Sequence, residues 1–214
     1  MNTGFPLDLV ALVPGKDEQE TLEGLLSERR ESLQIRTVRR EILVHPRLDP
    51  GCFHEAPAVL QSYQDRAARA LVLFDHEGSG QEDRSAGALA HEVESRLSES
   101  GWEDRACVLV VQPELEAWVW SDSPEVDAVL GWGGHIPQLR PWLAAQGFWP
   151  QGQAKPLRPK ESFLAALREV HTRRSSAIFR QLAEKVGLER CQDRTFAELK
   201  KILKSWFPSS SDGV

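Results

Sequence analysis

The sequence predicts an α/β protein built on a small, mostly parallel four-stranded sheet, and three observations predict it. Short apolar runs of strand length recur along the first half of the chain. Segments of roughly 12–18 residues with helical character separate most of them, the length that a crossover between parallel strands requires. Pro14-Gly15, His45-Pro46 and the acid- and glycine-rich loop from Asp75 to Gly80 end the first three runs. Right-handed βαβ units with helices on both faces of the sheet follow from that order.

The first strand is Leu7 to Val13, ended by Pro14-Gly15. Asp17 is expected to cap a helix with Glu20 three residues on, and Leu22, Leu25 and Leu26 form its apolar stripe. A second strand is expected over Ile35 to Val44, ending at His45-Pro46. Residues 46–53 read as a Pro/Gly loop before a helix from about His54 to Asp65. Ala70 to Phe74 is the clearest buried strand, and it runs into Asp75-His76-Glu77-Gly78-Ser79-Gly80. A helix from about Asp83 to Ser100 leads to a fourth strand, Ala106 to Val111. Pro113 is expected to open another helix as a first-turn proline. Beyond about residue 121 the chain is irregular around Gly131 to Gly134 and from Gly147 to Pro159. It then reads as helices over roughly 160–172, 175–186 and 195–206. The expected organisation is an α/β domain over 1–122, a basic helical region over 123–208 and a disordered tail over 209–214.

Composition narrows the function classes. With 41% apolar and 27% charged residues the chain is ordinary for a globular protein. No apolar run approaches the ~20 residues of a membrane span, and Met1 to Pro6 lacks a secretory pattern. A cytoplasmic location and no membrane partner are therefore expected. Cys52, Cys107 and Cys191 are odd in number and far apart, so reduced thiols are expected rather than disulfides or a zinc site. The net charge of −6 hides a division: residues 1–138 carry −13 and residues 139–207 carry +8. An acidic body with a basic C-terminal third suits a polyanion held by one face while carboxylates elsewhere hold metal. A solvated basic helix face is the plainer account of the same numbers.

In an open parallel sheet, ligands bind beyond the carboxyl ends of the strands. Glu18 and Glu20 follow the first strand, Asp75 and Glu77 the third, and Glu114 and Glu116 the fourth. Carboxylates gathered there repel one another unless a cation intervenes, and hard oxygen ligands suit Mg²⁺ or Mn²⁺. Glu18, Glu20, Glu114 and Glu116 also fit helix first turns, where the dipole favours anions regardless of function. On a helix Glu114 and Glu116 would point about 200° apart, so one at most would face a given site. Asp75, a carboxylate straight after five apolar residues, is the strongest functional candidate. His76 is a weaker one. No Walker loop, zinc spacing or nucleophile elbow is present. Trp118, Trp120, Trp132, Trp142 and Trp149 offer base stacking or partner contact, with plain core packing the commoner role. Lys155, Lys160, Arg173, Arg174 and Lys200 are the candidate phosphate-gripping cations, against the alternative of a solvated surface.

Val13-Pro14-Gly15-Lys16-Asp17-Glu18, Asp75-His76-Glu77-Gly78 and Glu114-Leu115-Glu116-Ala117-Trp118 together resemble the TOPRIM-like families, closest to small proteins encoded beside ATPases in bacterial phage defence. Lys160 at a Pro-Lys helix start and Thr195-Phe196 add to the resemblance, which spans most of the chain. It implies a TOPRIM-like, Rossmann-like sheet with a C-terminal helical extension. It also implies Mg²⁺ or Mn²⁺ held by Glu18, Asp75 and Glu77, with Glu114 or Glu116 completing the site. Glu18 and Asp75 would be the catalytic pair. Where the family carries its first glutamate this chain has Pro14, leaving Glu18 or Glu20 to substitute from the next helical turn.

Two readings follow, with a third held behind them. One is a metal-dependent nuclease-like component of an anti-phage system, acting on DNA or RNA. The other is a non-catalytic TOPRIM-derived interaction, sensor or scaffold subunit, with a protein partner from a neighbouring defence gene or a second copy of itself. A domain handling a small phosphorylated molecule is the third.

Overall fold

The computed structural model describes residues 4–209. Four strands, β1 (Leu7–Val13), β2 (Arg40–Val44), β3 (Ala67–Asp75) and β4 (Ala106–Val111), form one sheet in the order β2-β1-β3-β4. Every pairing is parallel, with Leu9 opposite Arg40 and Arg69, and Asp75 opposite Val111. The result is a small Rossmann-like α/β sheet.

Burial on both faces explains why β1 reads as a continuous apolar run. Leu9, Ala11 and Val13 enter one core, Val10 and Leu12 the other. The second core is closed by α3 (Leu48–Leu60) and α4 (Ala86–Leu97). The first is closed by α1 (Lys16–Glu28) with a short α2 (Arg30–Leu33) and by the C-terminal helices. These last are α5 (Pro124–Val129), α6 (Leu139–Ala145), α7 (Pro159–Glu169), α8 (Ser176–Lys185) and α9 (Arg194–Trp206). Helix α8 packs along α1, where the approach is close enough that Gly24 meets Ala183 without room for a side chain. Residues on both sides of the expected 122/123 boundary share this one core.

Several elements differ from expectation. The second strand is shorter, because Ile35 instead bridges to Pro208. Helix α3 starts six residues early, inside the expected loop. Pro50 falls in its first turn, where the missing N–H has no helical acceptor to lose. Gly15 rather than Asp17 stands at the start of α1. Pro113 follows a cis peptide and opens no helix; a 3₁₀ turn over Leu115–Trp118 comes instead. Of the expected tail 209–214, all but Ser209 lies outside the described residues. The three cysteines are free thiols, Cys52 fully buried. No helix among the described residues is long and apolar enough to cross a membrane.

Candidate functional site

Four parallel strands end on one edge of the sheet, and the chain places a carboxylate after each. Asp17 and Glu18 follow β1 in the first turn of α1, Asp49 follows β2 in the first turn of α3, Asp75 ends β3, and Glu114 and Glu116 follow β4. The central strands β1 and β3 are neighbours whose following helices leave to opposite faces, the switch point where such sheets open a crevice.

Asp75 is buried at 7% exposure, and its Oδ1 has no hydrogen-bond partner among the described residues. Burial pushes its carboxyl well above the usual range, and the charges of Glu18, Asp49 and Glu116 push further; the Leu115 N–H offsets them only in part. Glu18 is also buried, and desolvation raises it to about 7, with its own N–H opposing and Asp17, Asp49 and Glu116 adding to the rise. Burial likewise raises Asp49, whose Oδ1 accepts the Asp75 N–H at 2.8 Å. Glu18 and Asp75 feel Asp49 and Glu116 as like charges, Asp49 is offset in part by the charge of Lys160, and no cation forms an ion pair with the three among the described residues.

Asp8 provides the contrast. It too is a buried acid, at the opposite end of β1. Burial would raise it, but Arg36 and Arg39 each approach within about 3 Å and hold it below the usual carboxylate range. A buried carboxylate serving only the fold is saturated in this way. Asp75 is not.

Glu114 and Glu116 are buried and raised, first by desolvation, but they carry counter-charges. Glu114 accepts the Lys160 backbone N–H at 3.0 Å and pairs with its ammonium at 3.3 Å, so it caps α7 from outside the helix. Glu116 meets Arg174 at 3.5 Å, and the same guanidinium pairs with Asp17 at 2.5 Å. Arg174 thus joins the loop after β4 to α1. Glu20 turns away to Lys16 and Arg180.

Two of the expected groups are placed apart from the buried carboxylates or from one another. Glu77 is exposed, and the charges acting most strongly on Asp75 come from Glu18, Asp49 and Glu116 instead. The loop takes it outward as Gly78 enters the left-handed region at φ 91°. The five cations lie in different surroundings. Lys160 and Arg174 join the carboxylates, Lys155 pairs with Asp193 at 2.9 Å, and Lys200 bonds the Leu188 carbonyl at 3.1 Å. Arg173 is exposed and forms no ion pair or hydrogen bond among the described residues. Trp118, Trp120, Trp132 and Trp149 are core, which removes base stacking as their role. The His76 ring meets the Arg84 carbonyl at 2.7 Å, and Ser79 is fully buried.

Asp49 is the residue that sequence reasoning missed. Its signal was present: an acid followed by proline is a helix-start pattern, and Asp49-Pro50 carries it. Among the described residues, no three His, Cys, Asp or Glu side chains are grouped to hold a metal ion as they stand. The donor chemistry of Asp75, Glu18 and Asp49 nevertheless fits a hard cation: carboxylate oxygens, one of them unpartnered, in a buried setting that penalises their charge.

Comparison with protein-family models, with curated proteins and with solved structures returns no match.

Proposed function

We propose that this chain is a divalent-metal-dependent, nuclease-like protein of TOPRIM type that cleaves phosphodiesters in DNA or RNA within a bacterial, cytoplasmic anti-phage system. The observation that carries the reading is the buried Oδ1 of Asp75, without a hydrogen-bond partner among the described residues, beside Glu18, Asp49 and Glu116, whose charges raise its proton affinity.

Asp75, Glu18 and Asp49 would hold Mg²⁺ or Mn²⁺ after side-chain rotation, with Glu116 at the margin. Bound there, such an ion would supply charge stabilisation to a phosphoryl oxygen and would activate water. Glu18 would position or activate the attacking water from the first turn of α1. Lys160 and Arg174 lie beside the same carboxylates, so an incoming phosphate can exchange for Glu114 or Glu116 as their partner. Glu77 has no place in this ligand set.

Cleavage of supercoiled plasmid, single-stranded DNA and RNA with Mg²⁺ or Mn²⁺ tests the proposal. Wild type is expected to cleave at least one of them, and Asp75→Asn none. Metal affinity unchanged in Asp75→Asn would remove the assignment.

A second reading, a non-catalytic interaction subunit of a defence complex, is favoured by Pro14 at the resemblance's first glutamate position. The ion pairs that already occupy Glu114 and Glu116 also favour it. Wild type that is inert on every substrate yet co-purifies stably with a neighbouring gene's product would establish this one.

A further inference from the structure

Beside the segment that follows Glu116, cations from three separate parts of the chain, Arg140, Lys155 and Arg190, come together. Trp120, Asp122, Arg140, Lys155, Arg190 and Gln192 line a hollow of about 200 Å³. Its floor is Trp120, buried, whose indole N–H donates to the Pro159 carbonyl at 3.2 Å. Pro159 precedes Lys160, so the Trp120 indole links the hollow to the start of α7, whose Lys160 meets Glu114.

The cations here are only partly neutralised. Arg140 lies over the Trp149 ring at 4.6 Å, and its guanidinium bonds a backbone carbonyl, that of Gln153, at 3.5 Å. Arg190 donates to the Asp122 carbonyl at 2.7 Å. Neither guanidinium has a carboxylate partner among the described residues. Lys155 is held by Asp193, whose other oxygen accepts from Trp118 and from Phe196 at the start of α9, so this lysine is fixed in place. The exposed Asp122 carboxylate is the one acid lining the hollow.

Two arginine forks and an immobilised ammonium around one hollow match the tetrahedral, multiply accepting form of a phosphate. Ring stacking holds the Arg140 fork, so less freedom is lost on binding. We infer that Arg140, Lys155 and Arg190 form a phosphate-binding subsite separate from the carboxylate cluster, with Gln192 as an added donor. It rests on the phosphodiester reading only for the carrier of that phosphate: a nucleic-acid chain reaching the carboxylates would place a neighbouring backbone phosphate here. Of the five cations expected to grip phosphate, Lys155 is the one that belongs to this subsite.

The test is binding in EDTA at low salt, which isolates this subsite from metal chemistry. The probe is a fluorescent single-stranded oligonucleotide, with inorganic phosphate and a mononucleotide as competitors. Wild type and Asp75→Asn are expected to bind alike, and the Arg140→Gln/Arg190→Gln double variant at least about tenfold more weakly. Arg140→Lys, which keeps the charge and loses the fork, is expected to fall between them. If the double variant melts early, Arg190→Gln alone decides the matter, since that side chain is exposed and bonds one carbonyl. Competition by the mononucleotide at the oligonucleotide's own concentration assigns the subsite to a terminal phosphate ester; competition only at great excess assigns it to a diester chain. Unchanged oligonucleotide affinity in the arginine variants, or no binding of any probe by wild type, overturns the inference. Loss of cleavage in Asp75→Asn with binding intact leaves it standing.

Discussion

The carboxylate of Asp49, at the start of α3, accepts the backbone N–H of Asp75 at the end of β3, 2.8 Å away. One acid thereby fixes the main chain that presents another. The bond ties the segment after an edge strand to the centre of the sheet, and it holds two like charges close together in a partly buried place.

Asp49→Asn keeps an acceptor for that N–H and removes a negative charge, whereas Asp49→Ala removes both. Asn is expected to be neutral or stabilising at pH 8, and Ala to cost about 1–2 kcal/mol. Urea denaturation of the two variants checks the difference. An Asn variant as unstable as Ala would mean that the charge, not the acceptor, supports the contact.

Stability is expected to fall as pH rises between about 4.5 and 7. Glu18 ionises near 4.5 in the unfolded chain and at about 7 in the folded one. Between those values the folded state binds more protons, so its advantage is full below the unfolded pKa and is lost as pH rises through the folded one. The loss is on the order of 3 kcal/mol if the whole shift is expressed. Asp75, Asp49, Glu114 and Glu116 act in the same direction. Asp8 acts oppositely, stabilising above its unfolded pKa and losing that as pH falls. The optimum therefore lies near pH 4–5 by these opposed shifts. Thermal melts from pH 4 to 8 measure this, and Glu18→Gln should flatten the slope. A protein most stable at pH 8 in EDTA would contradict it.

Mg²⁺ or Mn²⁺ should raise the melting temperature most at pH 8, where the cluster is most fully ionised, and little at pH 5. At a hundred times its Kd the gain is about 2.7 kcal/mol. An equal rise in Asp75→Asn would place the ion elsewhere.

Two glycines separate function from stability. A Cβ on Gly15 would stand 2.8 Å from Glu18 Oε2, the far end of a flexible side chain, and its φ of −146° suits alanine. Gly15→Ala should shift the Glu18 carboxylate and reduce any cleavage at least tenfold while stability changes by less than about 1 kcal/mol.

A Cβ on Gly51 would stand 1.9 Å from His45 Nδ1. That ring is buried, accepts the Arg47 N–H at 3.0 Å and meets Glu55 at 3.1 Å. It has nowhere to go, so Gly51→Ala should cost about 1–3 kcal/mol or more by overpacking. Equal melting temperatures for the two alanine variants would refute the contrast.

The strands were legible because both faces of the sheet are covered. Leu9 to Val13 and Ala70 to Phe74 are buried throughout, and such runs need no partner to be recognised. Asp75 was legible for the same reason: it is the first charge after such a run. Asp49 was hidden because Pro50-Gly51 resembles a loop. What makes Gly51 necessary is the His45 ring, which reaches it only once the chain has folded. The exposure of Glu77 was not legible because its spacing from Asp75 says nothing of the turn at Gly78.

By itself the sequence determined a parallel α/β core, acids at the strand ends and a basic helical third, since these depend on periodicity and composition near each residue. Only the tertiary structure decided which acids share a field and which cations meet them. Lys160 and Arg174 reach Glu114 and Glu116 because α7 and α8 pack on the α1 face of the sheet. Lys155, Arg140 and Arg190 were brought to another hollow by the same packing. Charge acts over a few ångströms of space, and that distance is set by the crossovers between strands rather than by separation along the chain.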